Sequence, residues 1–194
     1  STISGNQSEN SGPAALLGID ATTTLTNCTI SGNQAADTAG GIYTFRGTTN
    51  LRSTTITANR LLTPSHGAGG IWAAGDIVLR NTVIAGNIHD ETNPAVYAPD
   101  CFSGYVASPV SEGYSLVADG YYCPGLVDGA NGDQIGTSAA LIDAKLGPLA
   151  DYGGPTFTHA LMSGSPAIDG GNPAAPGSGG TACPTTDQRG ETRP

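Results

Sequence analysis

The stretch "TLTNCTISGN" (residues 24–33) returns in related forms along the chain. Later copies read "NLRSTTITAN" (50–59) and "VLRNTVIAGN" (78–87), and the first residues contain a shorter one, "TISGN" (2–6). Every copy ends in Asn and is rich in Thr, Ile or Val, a composition that favours short strands bounded by turns. A unit that recurs at such an interval predicts a solenoid, a propeller or another array of repeats.

The interval between the copies decides among these architectures. The isoleucines near the end of each copy are separated by 27, 26 and 28 residues. A propeller blade needs about 40 residues for its four strands, and no segment shows the apolar spacing of an amphipathic helix over three turns. We therefore predict an all-β fold, a right-handed parallel β-helix, in which equivalent residues of successive coils stack about 4.8 Å apart.

Stacking assigns a structural role to each residue that recurs. We expect the isoleucines to form an interior column: Ile3, Ile30, Ile56 and Ile84. We expect the asparagines three residues later to form a hydrogen-bonded ladder at a corner of the coil: Asn6, Asn33, Asn59 and Asn87. A left-handed backbone is predicted for these asparagines, and a positive φ for Gly41 and Gly70, which belong to the "GGI" pairs before later strands.

Charge and hydropathy exclude several kinds of partner. The formal charge is −9, and the seven Lys and Arg residues form no continuous basic stripe. Nucleic-acid binding depends on such a stripe, so we expect no nucleic-acid partner. No apolar run in this segment reaches the roughly 18 residues that a membrane span needs. No motif indicates a cofactor or a metal ion.

The chain contains four cysteines, none of them in a C-x-x-C pair that would indicate a zinc site. Cys101 and Cys123 flank a segment rich in Gly, Tyr and Pro, and we predict that they form a disulfide that closes a loop. A disulfide indicates an oxidising compartment. Cys28 lies within a repeat copy, and Cys183 has no obvious partner.

The regularity of the repeat divides the chain into three parts. Residues 1–88 are predicted to form regular β-helix coils of about 27 residues. Residues 89–146 are predicted to form irregular coils and loops that include the disulfide. Residues 147–194 are predicted to form an irregular C-terminal cap segment.

Several motifs in the second half of the chain resemble one known family. "GPLADYGGPTFTHAL" (147–161), "GSPAIDGGN" (164–172) and "TDQRGETRP" (186–194) look like the choice-of-anchor Q domain of bacterial surface proteins. The upstream "APDC", "EGYSLV" and "YYC" fit the same family, so the resemblance covers about residues 78–194. The "GGI" and "I-x-x-N" units are also similar to those of polymorphic outer-membrane-type β-helix proteins.

The resemblance implies an exported protein at the bacterial cell surface, with an anchor that varies among members and no common reaction. Family members usually continue into a short cysteine-containing strand, and this sequence stops at Pro194, before that strand. The family pattern therefore leaves Cys183 without the partner that this strand would supply.

The acidic residues are the first candidates for catalytic groups, because many parallel β-helices degrade polysaccharides. Glycosidases need two carboxylates a few ångströms apart, but the acidic residues near the turns occupy non-equivalent positions: Asp20, Asp37, Asp76 and Asp90. The histidines, His66, His89 and His159, are scattered and are expected to be structural. We expect His159 to anchor the C-terminal segment by hydrogen bonds, and Arg189 to pair with Asp187 or Asp169.

We therefore expect a non-catalytic extracellular or cell-surface protein that acts in adhesion or as a structural or assembly subunit, with fibre formation as one form of assembly. Its first coil has an open edge, through which copies could associate. A cell-surface glycan or protein is the other expected partner, and Arg52 and Arg80, stacked on the outside, could contact an anionic glycan. The alternative is a carbohydrate-active β-helix enzyme, a polysaccharide lyase or hydrolase, or a glycan-binding module.

Overall fold

The structure, a computed structural model, describes residues 1–63, 67–89, 100–104 and 108–194. His66 and Asp90 lie outside these ranges. The described residues form eighteen β-strands and no α-helix, with one 3-10 turn at Ala130–Gly132. None of them belongs to a helix that is long and apolar enough to span a membrane.

The strands are short, apart from β7 and β10. They are β1 (Thr2–Ser4), β2 (Gln7–Ser8), β3 (Leu16–Ile19), β4 (Thr22–Thr26), β5 (Thr29–Ser31), β6 (Gln34–Ala35), β7 (Ile42–Arg52), β8 (Thr55–Thr57), β9 (Arg60–Leu61), β10 (Ile71–Arg80), β11 (Val83–Ala85), β12 (Ile88–His89), β13 (Cys101–Ser103), β14 (Val110–Ser111), β15 (Leu116–Val117), β16 (Gln134–Ile135), β17 (Leu146–Ala150) and β18 (Thr158–Leu161).

Sixteen of these strands form three parallel sheets, which confirms the predicted parallel β-helix. Sheet 1 has the order β1-β5-β8-β11-β15-β16, and sheet 2 has the order β12-β9-β6-β2. Sheet 3 has the order β13-β10-β7-β3, with β4 also paired to β7 and β14 also paired to β10. The chain visits the sheets in turn, so each strand pairs with its equivalent one coil later.

The interior is built from the residues that the repeat places at equivalent positions. Ile3 pairs in register with Ile30, which pairs with Ile56, and Ile56 with Ile84. The last three are fully buried, and Ile3 packs against the same core cluster. Burying one such side chain contributes about 1.5–3 kcal/mol, so the column is a major source of stability.

The corner between sheets 1 and 2 holds the predicted asparagine ladder. Nδ2 of Asn6 donates to Oδ1 of Asn33 over 2.8 Å, Asn33 donates likewise to Asn59 over 2.8 Å, and Asn59 to Asn87 over 2.9 Å. The backbone N–H of each donor residue bonds to the same oxygen, at 3.0 to 3.1 Å. The ladder satisfies polar groups that would otherwise be buried without partners.

The left-handed backbone lies at other positions than predicted. The asparagines of the ladder do not have positive φ; the residue before each of them does: Gly5, Gly32, Ala58 and Gly86, with φ between 55° and 68°. The corner between sheets 3 and 1 uses a second left-handed column, namely Asn27, Ser53, Asn81 and Tyr114. The ladder asparagines are needed for their side chains, and the preceding residue makes the turn.

The prediction of a positive φ at Gly41 and Gly70 is also wrong, because neither glycine lies in that region. The requirement there is steric. A Cβ on Gly41 would overlap the carbonyl oxygen of Gly70, and a Cβ on Gly70 would overlap that of Asp100. The glycines allow successive coils to pack backbone against backbone beside the asparagine ladder.

The predicted disulfide joins Cys101 and Cys123, with their Cα atoms 5.8 Å apart. Both residues are buried and belong to the core cluster. The disulfide therefore fixes the irregular part of the chain, between β13 and the turns before β16, to the interior of the solenoid.

Candidate functional site

The irregular C-terminal segment crosses the outer face of sheet 1. We call residues 146–194 the C-terminal arm; it begins with the antiparallel pair β17 and β18. Oγ1 of Thr2, on the first strand of sheet 1, donates to the carbonyl of Phe157 over 2.6 Å. Nε2 of Gln134, on the last strand of that sheet, donates to the carbonyl of Pro166 over 3.0 Å. The arm therefore contacts sheet 1 at both ends.

His159 attaches the arm to the middle of this contact. Its Nδ1 lies 2.6 Å from the carbonyl oxygen of Gly147, and its Nε2 lies 2.8 Å from Oγ of Ser31. A carbonyl only accepts, which assigns the proton to Nδ1 and leaves Nε2 to accept the hydroxyl proton of Ser31. The expectation that His159 anchors this segment by hydrogen bonds is confirmed.

The same geometry resembles an activated serine, in which a histidine accepts the hydroxyl proton and a third group orients the ring. Ser31, however, is only 2% exposed. A substrate carbonyl has no access to its Oγ while His159 and the arm cover it. In this arrangement the Ser31–His159 pair is suited to holding the arm in place.

Gln188 makes a second attachment near the first coil. Its Oε1 accepts a hydrogen bond from Oγ1 of Thr29 over 2.8 Å, and its Nε2 donates to the carbonyl of Ser1 and to Oγ1 of Thr156, at 3.0 and 2.9 Å. Nε2 also lies 3.0 Å from Oγ1 of Thr2, so one amide group joins β1 and β5 of sheet 1 to two parts of the arm.

Asn81 makes the third attachment, at the corner between sheets 3 and 1. Its Nδ2 donates to the carbonyl of Thr181 over 3.0 Å, and its Oδ1 accepts the backbone N–H of Asn172 over 2.9 Å. Asn81 has a left-handed backbone with φ of 48°, which its coil position requires. The side chain of this turn residue therefore anchors a distant segment.

Asp187 and Arg189 form the predicted ion pair within the arm. The guanidinium Nη2 lies 2.7 Å from Oδ2 of Asp187, and Nε donates to the same oxygen over 2.8 Å. Partial burial raises the pKa of Asp187, but hydrogen bonds from the side chain and backbone of Arg189 and from the backbone of Glu191 outweigh it and lower the pKa below its ordinary value. The pair fixes the turn that carries Gln188.

Between sheet 1 and the arm lies a cleft of about 550 Å³. The strands contribute outward side chains to its floor: Thr29, Thr55, Val83 and Leu116. The arm contributes ring, amide and guanidinium groups: Tyr152, His159, Gln188, Arg189 and Arg193. This volume is within the range of small-molecule sites, and the mixture of apolar surface with a few polar groups is typical of them. We call it the arm cleft and take it as the candidate binding site.

A buried carboxylate ends the asparagine ladder. Oδ1 of Asp100 accepts hydrogen bonds from Nδ2 and the backbone N–H of Asn87, at 2.9 and 3.0 Å, and Oδ2 accepts the backbone N–H of Asp119 over 3.0 Å. Burial is the main effect and raises the pKa of Asp100 to about 6, aided by the charge of Asp119 and opposed by these hydrogen bonds. Asp100 also borders a second cleft of about 450 Å³.

Aromatic rings form a stack on the outer face of sheet 3. The ring centroids of Tyr43 and Trp72 are 4.6 Å apart with an interplanar angle of 26°, and Phe102 meets Trp72 edge-on at 6.3 Å. Partial burial raises the pKa of Tyr43. Since the rings face one another along the solenoid axis, the stack stabilises the outer surface of sheet 3.

The repeat residues and the arm cleft are separate, because the isoleucine column, the asparagine ladder, Gly41, Gly70 and the Cys101–Cys123 disulfide are not among the described residues that line the cleft. Four other residues named from the sequence do line it: His159, Cys183, Asp187 and Arg189. Thr29, Ser31 and Gln188 were not identified from the sequence. The first two occupy outward strand positions of the repeat, which marks them as surface residues but gives no sign that the arm covers them.

Within the described ranges, no three His, Cys, Asp or Glu side chains lie close enough together to hold a metal ion. Comparison of the chain with protein-family models, curated proteins and solved structures found no match.

Proposed function

We propose that this protein is a non-catalytic extracellular or cell-surface β-helix protein that acts in adhesion, and that it binds glycan in the arm cleft. The observation that carries the proposal is the cleft itself, held between a parallel sheet and an arm that is attached at several points. A binding site built on strands is held more precisely than one built on loops.

The rigidity of the solenoid supports a role in adhesion. The asparagine ladder, the buried isoleucine column and the Cys101–Cys123 disulfide hold successive coils together. A disulfide is typical of proteins in oxidising compartments, which supports an extracellular or surface location. An adhesive protein needs a rigid fold, because force applied through a bound ligand must not unfold the binding site.

The chemistry of the arm cleft supports a glycan as the ligand. The hydroxyl group of Thr55, the guanidinium group of Arg193 and the ring of Tyr152 border the cleft. A hydroxyl group both donates and accepts and a guanidinium group donates, which suits a ligand with many hydroxyl groups, and an aromatic ring offers an apolar surface beside them.

The proposal is tested by measuring binding and turnover on the same polysaccharide panel. We expect the purified protein to be retained on at least one immobilised glycan, with no release of reducing ends or unsaturated uronates. Thr55→Trp, which fills the floor of the cleft, is expected to reduce retention, whereas Thr48→Trp, on sheet 3, is expected to leave it unchanged. Turnover would favour the carbohydrate-active enzyme, and the absence of glycan binding would refute the proposal.

A further inference from the structure

We infer that Arg52 and Arg193 form a binding site for the carboxylate groups of an acidic, uronate-containing glycan. This inference rests on the proposed function and specifies the class of glycan. The site lies at the corner where sheet 3 ends and sheet 1 begins, along one side of the arm cleft.

Strand register places the two arginines near each other. Arg52 is the last residue of β7 and pairs with Thr26 of the preceding coil. Asn27, which follows Thr26, accepts a hydrogen bond from Nη2 of Arg193 over 3.4 Å. The backbone N–H of Asn27 in turn donates to the carbonyl of Arg52 over 3.1 Å, so Asn27 contacts both arginines. Arg193 also lines the arm cleft, so the corner and the cleft are continuous.

Among the described residues, these two arginines differ from Arg80 in their ion pairs. Arg80, the next residue in the column after Arg52, is paired with Glu112 at 3.2 Å and bonded to the carbonyl of Gly180. Arg52 and Arg193, by contrast, have no carboxylate within ion-pair distance in the described part of the chain. Like charges that lie close together repel each other, and an anion between them removes the repulsion.

The chemistry of the two guanidinium groups and of the adjoining cleft favours a carboxylated polymer over other anions. A guanidinium group binds a carboxylate through two parallel hydrogen bonds. Two guanidinium groups at one corner match a ligand that repeats its charge, and the hydroxyl group of Thr55 and the ring of Tyr152 in the adjoining cleft match the rest of each sugar. The protein as a whole carries −9, but charges farther away than about 8 Å are largely screened at physiological ionic strength.

The test compares polygalacturonate, dextran sulfate and neutral dextran as immobilised ligands for the full chain. We expect the wild-type protein to bind polygalacturonate in preference to the other two. Arg52→Gln and Arg193→Gln are each expected to weaken this binding about fivefold or more, since a charge-assisted hydrogen bond is lost. Arg60→Gln is the matched control, because Arg60 is exposed on the outer face of sheet 2 and loses the same charge.

The outcomes separate this inference from the proposed function. Equal losses in all three variants would show a general effect of charge and overturn the inference. Equal or stronger binding to dextran sulfate would overturn the choice of a carboxylate. Binding to neutral glycan alone would overturn the inference and leave the adhesion proposal standing, whereas binding to no glycan would refute both. Thermal unfolding of each variant verifies that the fold is retained.

Discussion

Asn87 donates two hydrogen bonds to one carboxylate oxygen of Asp100, and this contact ends the asparagine ladder. The residue three positions after Val117, where the repeat would place the next asparagine, is Gly120. Ile71 pairs with Cys101, so Asp100, the residue before Cys101, lies in register with Gly70. The side chain of Asp100 takes the place of the missing asparagine amide. The last rung of the ladder is thus an ionisable group within an otherwise neutral column.

The raised pKa of Asp100 makes the stability of the fold depend on pH. The pKa rises from 3.8 to about 6, so the folded state binds the proton more tightly than the unfolded chain does. The stabilisation that this proton gives is complete below about pH 4 and is lost as the pH rises through 6. Two pKa units correspond to a decrease on the order of 3 kcal/mol in the free energy of unfolding.

Asp100→Asn is expected to remove this decrease between pH 4 and 7, measured by urea unfolding at a series of pH values. Asp76→Asn is the control, because Asp76 is exposed on β10. A variant of Asp100 with the same pH dependence as the wild-type protein would show that another group is responsible. Asp187, whose pKa is lowered in the folded state, stabilises the fold while it is ionised. This contribution to the free energy of unfolding is lost as the pH falls below about 4.

Asn59→Ala tests the ladder in its interior. The substitution removes the acceptor of Asn33 and the donor to Asn87, and it leaves the backbone N–H of Asn33 buried without a partner. We expect the free energy of unfolding to fall by about 3 kcal/mol. Asn6→Ala, at the exposed first rung, is expected to lower it by about 1 kcal/mol or less. Equal effects of the two substitutions would show that burial of the ladder does not decide its contribution.

Gly70→Ala and Gly32→Ala test two different requirements for glycine, namely close packing of backbones at Gly70 and a positive φ at Gly32. Gly32 has a φ of 67° but open space around its Cα, and Ala58 already occupies the equivalent position one coil later. We expect Gly32→Ala to lower the free energy of unfolding by about 1 kcal/mol. Gly70→Ala forces a methyl group against the backbone of the next coil, and we expect a loss of about 3 kcal/mol. Chemical denaturation of both variants measures these two losses. A larger loss of unfolding free energy in Gly32→Ala than in Gly70→Ala would contradict the steric explanation.

The repeat predicts the interior because stacking imposes the same requirement on every coil. An isoleucine that faces inward in one coil must face inward in the next, and an unpaired amide at a corner requires an acceptor above it. These requirements appear in the sequence as a period, so the core and the ladder could be identified from it. The same period does not show which residue of "SGN" makes the turn, because glycine and asparagine both tolerate left-handed backbone.

The position of the C-terminal arm could not be predicted in this way. The arm repeats nothing, and several of its contacts join residues that are more than 90 positions apart, such as Asn81 with Asn172 and Thr29 with Gln188. Asp100 is a similar case, since its side chain compensates for a glycine 20 residues later in the sequence. Both depend on tertiary contacts that leave no local pattern.

His159→Ala is expected to loosen the arm and leave the solenoid intact. The substitution removes the hydrogen bonds to Ser31 and Gly147, so local opening of β17 and β18 requires less free energy. We expect amide hydrogen exchange in these two strands to accelerate about tenfold, while exchange in β7 and β10 is unchanged. Ser163→Ala is the control, since Ser163 is exposed on the arm and forms no side-chain hydrogen bond within the described residues. Faster exchange throughout the solenoid would instead show that the arm is part of one cooperative unit with the sheets, and unchanged exchange would show that His159 does not hold the arm.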